Sequence, residues 1–200
     1  MDIATYISNL NLRKINSGLS VVAVTFGLYL ILFPFVPAIR YWLNGPEIKD
    51  NSVVQVTDNK SNSSKPISKN SLLEIPRLNM SETINTGTSV SELKKGAWLL
   101  PNTSTPDKKS NTVIVGHRFT YDGPGVFYFL DKIQVNDRLT VSWQGKEYTY
   151  KVASIRVVPP SEISVQDPTD KPQLTLYTCT PIYTATERLV ITAPLVGVRS

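Results

Sequence analysis

A chain of 200 residues, 41% of them hydrophobic, holds one ordinary domain and an appendage but not two full cores. Its single cysteine, Cys179, excludes an intramolecular disulfide, and one cysteine with one histidine, His117, excludes a zinc site of the usual Cys/His kind. The formal net charge of +5 does not single out a nucleic-acid partner: residues 71–200 carry 14 Lys and Arg against 12 Asp and Glu without a basic motif, so most of the excess lies before them.

Residues 15–39 contain no charge, and 19–36 read LSVVAVTFGLYLILFPFV. At ~1.5 Å per residue such a run crosses a hydrocarbon core of ~30 Å, so a transmembrane anchor is expected over 15–43, after a cytoplasmic N-terminus at 1–14. Arg13 and Lys14 precede the run, Arg40 follows it, and Tyr41 and Trp42 suit the far interface. The run exceeds the core of roughly 7–15 residues found in cleaved signal peptides, which favours a retained, single-pass anchor with the rest of the chain outside the cell. Residues 44–70 are rich in Asn, Ser, Lys and Asp and bury too little to order themselves, so they read as a flexible polar linker. Lys60, Lys65 and Lys69 there fit acidic lipid or wall polymer as well as they fit plain solvation.

From residue 71 to residue 200 the pattern changes to short segments rich in β-branched and aromatic residues: 72–75, 112–115, 138–143, 147–158, 174–178 and 189–192. Gln144-Gly145 between two of them predicts a tight hairpin. Ser89 with Glu92 three residues on is a capping box, and Gly96 would end a short helix there. The sum is an all-β domain, a closed barrel with one or two short helices.

Three residues stand where chemistry is expected. Cys179 ends an apolar segment, QLTLYTCTP, that Pro181 prevents from continuing far as a central strand. A thiol at a strand end is held rigidly yet open on one side, as a nucleophile must be. His117 ends another segment, NTVIVG, and an imidazole beside a thiol can hold the proton and return it to a leaving amine. Arg188 opens the last segment nine positions after Cys179. If the residues between them form a loop, two adjacent strands bring Arg188 back to Cys179, where a guanidinium would polarise an acyl carbonyl and hold its oxyanion.

The motifs Thr175-Leu-Tyr-Thr-Cys179, Gly116-His-Arg118 and Arg188 in ERLVI, in that setting, resemble the sortases, cysteine transpeptidases that fix proteins to cell walls or polymerise pilins. Further similarity lies in LLEIPRL at 72–78, in 129–133 and in 158–169, so that the resemblance covers about residues 71–196. The short spacing from cysteine to arginine and the Cys-Thr-Pro run resemble class C, D and E sortases more than class A. The resemblance implies a barrel of about eight strands and a reaction in which Cys179 attacks the threonine carbonyl of a Leu-Pro-x-Thr-Gly-like signal. A thioester forms, and an amine from a peptidoglycan precursor or a pilin lysine resolves it. His117 would act as acid and then base, Arg188 as the carbonyl clamp, and Thr178 as a substrate contact. No cofactor and no metal are expected: Glu162, Asp167 and Asp170 precede the cysteine strand without the ligand spacing of a calcium site. Two other readings stand beside this one. A different cysteine peptidase or acyltransferase needs no arginine at this spacing, and an anchored β-domain that binds wall polymer or protein would keep Cys179 buried and inert.

Overall fold

The computed structural model describes residues 12–36, 39, 70–121 and 123–200, and the chain divides into two compact units, Met1–Gly45 and Pro46–Ser200. In the first, α1 (Leu12–Leu32) runs 21 residues into a 3-10 turn at Phe33–Phe35. Its large apolar side chains, among them Leu19, Val21, Val22, Val24, Phe26, Leu28 and Leu30, are exposed all round, and Thr25 returns its hydroxyl to the carbonyls of Val21 and Val22. Among the described residues no helix is long and apolar enough to cross a membrane. The anchor expected at 15–43 is therefore not shown here. The linker expected at 44–70 lies outside the described residues except for Asn70.

The second unit is built of strands β1 (Leu72–Ile75), β2 (Met80–Asn85), β3 (Ala97–Leu99), β4 (Asn111–Val115), β5 (Phe119–Thr120), β6 (Gly123–Pro124), β7 (Arg138–Trp143), β8 (Lys146–Lys151), β9 (Ser154–Val158), β10 (Gln173–Thr180) and β11 (Glu187–Arg199). Eight of them close a ring in the order β1-β2-β3-β4-β10-β11-β8-β7 and back to β1, while β9 pairs with the outer edge of β11. The expected all-β barrel of about eight strands is the one found. Its helices differ from expectation: four 3-10 turns, at Pro76–Leu78, Val90–Lys95, Leu130–Lys132 and Ile163–Gln166, occur among the described residues of this unit. Ser89 caps the second by accepting from the backbone of Ser91, and Gly96 ends it at φ 130°.

The hairpin at Gln144-Gly145 has φ of 49° and 74°, the paired left-handed conformation that matches strand twist. The segment expected as one strand over 147–158 is two strands. Its first half, β8, pairs with β7 and with the end of β11, whereas its second half, β9, pairs with the beginning of β11. β11 itself runs well past the expected 189–192. It lies between β10 and β9 first and joins β8 after a register shift at Leu195/Gly197, with Pro194 at the changeover where a missing N–H does least harm.

Alternation along β10 sends Leu174 and Leu176 into the barrel, where they meet Leu73, Ile75, Ile114, Phe127, Leu130, Leu139, Val141 and Ile191. Each such fully buried side chain stabilises the fold by about 1.5–3 kcal/mol. Trp98, Val113 and Val115 form a second cluster on the other face with Leu93, Leu100 and Tyr177, and the Trp98 indole donates to the Gly87 carbonyl at 2.7 Å.

Tyr150 is 1% exposed, and burial, reinforced by nearby Tyr148, raises its phenol above the ordinary tyrosine range; burial raises Tyr177 as well. Both phenols must therefore stay neutral in the folded chain while the unfolded chain ionises near pH ~10. Below that pH the contribution is whole. Above it the unfolded state binds fewer protons, so stability falls as pH rises. Urea midpoints should accordingly hold level between pH 8 and 9 and drop by pH 11, with a shallower drop in Tyr150→Phe; equal slopes in the two proteins would remove Tyr150 from the account.

Candidate active site

Cys179 is the penultimate residue of β10, half-buried, and its register partner across the antiparallel ladder is Arg188 on β11. Side chains opposite each other in such a ladder share a face, with Cβ atoms ~5 Å apart. Thr175, Tyr177 and Cys179 thus line the outer face of the barrel together with Arg188 and Val190. The distance in sequence from Cys179 to Arg188 is closed by a connection in which Ala185 adopts φ 52° and donates its N–H to the Pro181 carbonyl at 2.9 Å. Arg188 holds that connection, since its Nη1 donates to the carbonyls of Ala185 (3.1 Å) and Glu187 (2.9 Å).

On the other side of β10 runs β4, parallel to it, with Tyr177 beside Val115 as the last register pair. Carried on by two residues, the same register sets His117 abreast of Cys179. The Thr178 hydroxyl fixes this continuation by donating to the Gly116 carbonyl at 2.7 Å. Gly116 is required there because a Cβ would stand 2.6 Å from Val126 Cγ1 and 2.8 Å from Phe127 Cδ2. The backbone of His117 is pinned from behind: Phe127 N–H donates to its carbonyl at 3.0 Å, and Gly125 packs directly against it. The structure therefore brings three of the expected residues, His117, Cys179 and Arg188, to one rim. Thr178 is 2% exposed with its hydroxyl committed to Gly116, so its side chain is a tie between strands rather than a surface group.

The floor of the site is Tyr177, whose phenol feels Arg188 and Cys179 and accepts from Gln166 Nε2 at 3.2 Å. That bond brings the connection between β9 and β10 down onto the sheet. Asn111 secures it further: its amide donates to the carbonyls of Val165 (3.1 Å) and Asp167 (3.0 Å) while its oxygen accepts from Thr175 at 2.7 Å. Two residues beyond His117, Phe119 stacks edge-on with Tyr183 at 5.3 Å and lies 6.1 Å from Tyr128. Sequence reasoning gave no role to Tyr177, Asn111, Gly125 or Arg118. Tyr177 left a signal in its period-two spacing with Thr175 and Cys179, and Arg118 in its place within the Gly116-His-Arg118 motif.

A family profile described as Sortase domain matches residues 73–196. The chain belongs to the sortase family. Sortases are cysteine transpeptidases. Sortase SrtE1 of Streptomyces coelicolor is 36% identical over 107 residues, which are 48% of this chain and 30% of that protein. Sortase D of Bacillus subtilis is 30% identical over 111 residues, 55% of this chain and 54% of that protein. The matches thus span about half or less of the curated relatives. Among solved structures, Sortase E1 from Streptomyces coelicolor with tripeptide in the active site superposes with a TM-score of 0.58 at 32% identity, over 67% of this chain and 91% of that one. Sortase C1 of GBS Pilus Island 1 gives 0.60 at 28% identity, over 64% and 65%. These neighbours are class C and class E sortases, in keeping with the motif spacing.

Proposed function

We propose that this sortase is a membrane-anchored transpeptidase in which Cys179 cleaves a C-terminal sorting signal of the Leu-Pro-x-Thr-Gly type after threonine. The observation that carries the reading is the register pair of Cys179 and Arg188, with His117 abreast on the neighbouring parallel strand. The Cys179 thiol passes its proton to His117 as its sulfur bonds to the threonine carbonyl carbon, and the remaining N–H groups of Arg188, on Nε and Nη2, receive the oxyanion. The C–N bond then breaks as His117 protonates the leaving amine, which leaves a thioester. An acceptor amine, from a wall precursor or a pilin lysine, attacks that thioester, gives its proton to His117 and releases the sulfur. Thr178 contributes to substrate binding through its backbone, because its hydroxyl is occupied.

The charge-free run at 15–39 and the exposed apolar surface of α1 support a single-pass anchor with the catalytic unit outside the cell. A C-terminal reporter active only in the cytoplasm would sink that topology.

The decisive experiment incubates the full chain in detergent with peptides bearing Leu-Pro-x-Thr-Gly-like signals and excess glycine amide, followed by mass spectrometry beside Cys179→Ala. Cleavage after threonine, a thioester on Cys179 and transfer to the amine are expected, and all three vanish in Cys179→Ala. Hydrolysis without transfer in any amine would favour a cysteine peptidase. A Cys179 that neither acylates nor alkylates would favour a non-catalytic binding domain.

A further inference from the structure

Arg118, next to the histidine, is 5% exposed and spends its guanidinium on three separate elements. Nε donates to the Tyr128 carbonyl at 3.3 Å, Nη2 pairs with Asp131 Oδ1 at 3.0 Å, and Nη1 donates to Thr180 Oγ1 at 2.8 Å. Thr180 directly follows Cys179. The other neighbour of the cysteine, Thr178, is tied to Gly116, the other neighbour of the histidine, at 2.7 Å. The two chains are therefore pinned at 116 to 178 and at 118 to 180, and the residues between the pins are His117 and Cys179.

We infer that the bond from Arg118 to Thr180, backed by Asp131, is a positioning device that fixes the imidazole of His117 against the thiol of Cys179; the inference rests on the catalytic roles proposed above. The chemistry favours the assignment. A planar fork with donors in fixed directions can hold three elements at once, which a lysine cannot. Neither Arg118 nor Thr180 touches the reacting atoms in this scheme. They act through the pair they flank, at a strand end where the β4–β10 ladder has already stopped. Displacing reacting groups by about 1 Å costs a rate of about 100-fold, so a tie at this point decides turnover more than affinity.

The test is Thr180→Val, which keeps the shape of the side chain and removes the acceptor, read beside Thr180→Ser in the full chain. With a signal peptide the valine variant should lose about 10–100-fold in kcat at unchanged KM, and serine should restore most of it. A second readout needs no substrate. The pH profile of Cys179 alkylation by iodoacetamide should differ between Thr180→Val and the parent, and Thr180→Ser should restore it. Arg188 across the ladder and Tyr177 on the same strand, the other groups facing the thiol, are unaltered in the variant, so the shift reports the histidine side.

A valine variant with kcat within twofold of the parent and an unmoved alkylation profile overturns the inference. So does a loss that serine fails to repair. Should Thr180→Val not fold, Asp131→Asn, which weakens the same guanidinium from its more exposed side, is held to the same two readouts. If the parent protein acylates with no peptide at all, the proposed function fails, while the alkylation profiles still decide the positioning.

Discussion

Arg188→Lys lowers kcat for acyl-enzyme formation by about 100-fold or more and leaves the melting temperature within a few degrees. The reason lies in how the guanidinium is shared. Its Nη1 hydrogens serve the carbonyls of Ala185 and Glu187, which anchors the side chain to the connection between β10 and β11. The donors on Nε and Nη2, fixed in one plane with Nη1, are the ones assigned to the oxyanion, and Cys179 is the direct register partner of Arg188. A lysine ammonium in that place is a single point on a flexible stem. It can tie the connection or meet the oxyanion, but not both in one geometry. Removing one oxyanion donor elsewhere costs about 100–1,000-fold in kcat, and the same scale applies here. Pre-steady-state acylation with a signal peptide measures it directly. A loss below about fivefold would show that the oxyanion is held by backbone groups and would return Arg188 to the role of a loop anchor.

Gly125→Ala is the second large effect, and it strikes the histidine without touching it in sequence. An added Cβ at 125 would lie 2.5 Å from the carbonyl carbon of His117, 2.8 Å from its Cβ and closer still to its carbonyl oxygen. The obstacle is backbone, held by hydrogen bonds from Gly125 N–H to Arg118 and from Phe127 N–H to His117, so it cannot swing aside as a flexible side chain would. Overpacking against a fixed neighbour costs about 3 kcal/mol or more. The melting temperature of a domain this size then falls by about 10 °C. The part of the chain that must yield is the segment carrying the imidazole, so turnover falls by about 100-fold even well below the melting temperature. Gly197→Ala, where a Cβ meets nothing within 4 Å, is the matched control and should shift stability by no more than about 0.5 kcal/mol. Comparable losses in the two variants would mean that the crowding at 125 is relieved by the whole segment moving together.

The strands that sequence reading found are those whose alternation or apolar density exceeds their surroundings, such as Leu72–Ile75 and Arg138–Trp143. It passed over Met80–Asn85, where Ile84 is the single buried residue, and Ala97–Leu99, which is three residues long. Both are specified by their partners rather than by themselves. The split between β8 and β9 was missed for a related reason: 147–158 is rich in β-branched and aromatic residues almost throughout, and what divides it is that β8 lies between β7 and the end of β11 whereas β9 pairs with the beginning of β11. At the site, the sequence singled out the three residues proposed above to carry the chemistry because cysteine and histidine each occur once and because Arg188 lies one hairpin away from Cys179. It could not disclose the burial of Arg118. An arginine is a surface residue by default, and its burial here depends on Tyr128, Asp131 and Thr180, which only the closed ring assembles. Thr178 shows the converse. Its place in the motif suggested contact with substrate, and because the inward half of the pleat buries its side chain, it is the backbone of Thr178 that is left for the contact proposed above.

The pairing of Cys179 with Arg188 is the seventh rung of an eight-rung ladder that runs from Gln173 opposite Pro194 to Thr180 opposite Glu187. A slip of one residue would turn every side chain of that ladder to the wrong face, so the ladder, not the connection beyond it, dictates how the two residues meet. The connection between Thr180 and Glu187 can consequently change in length at little cost in closure entropy, provided a carbonyl remains for Arg188 Nη1, while the backbones of Cys179 and Arg188 keep their register.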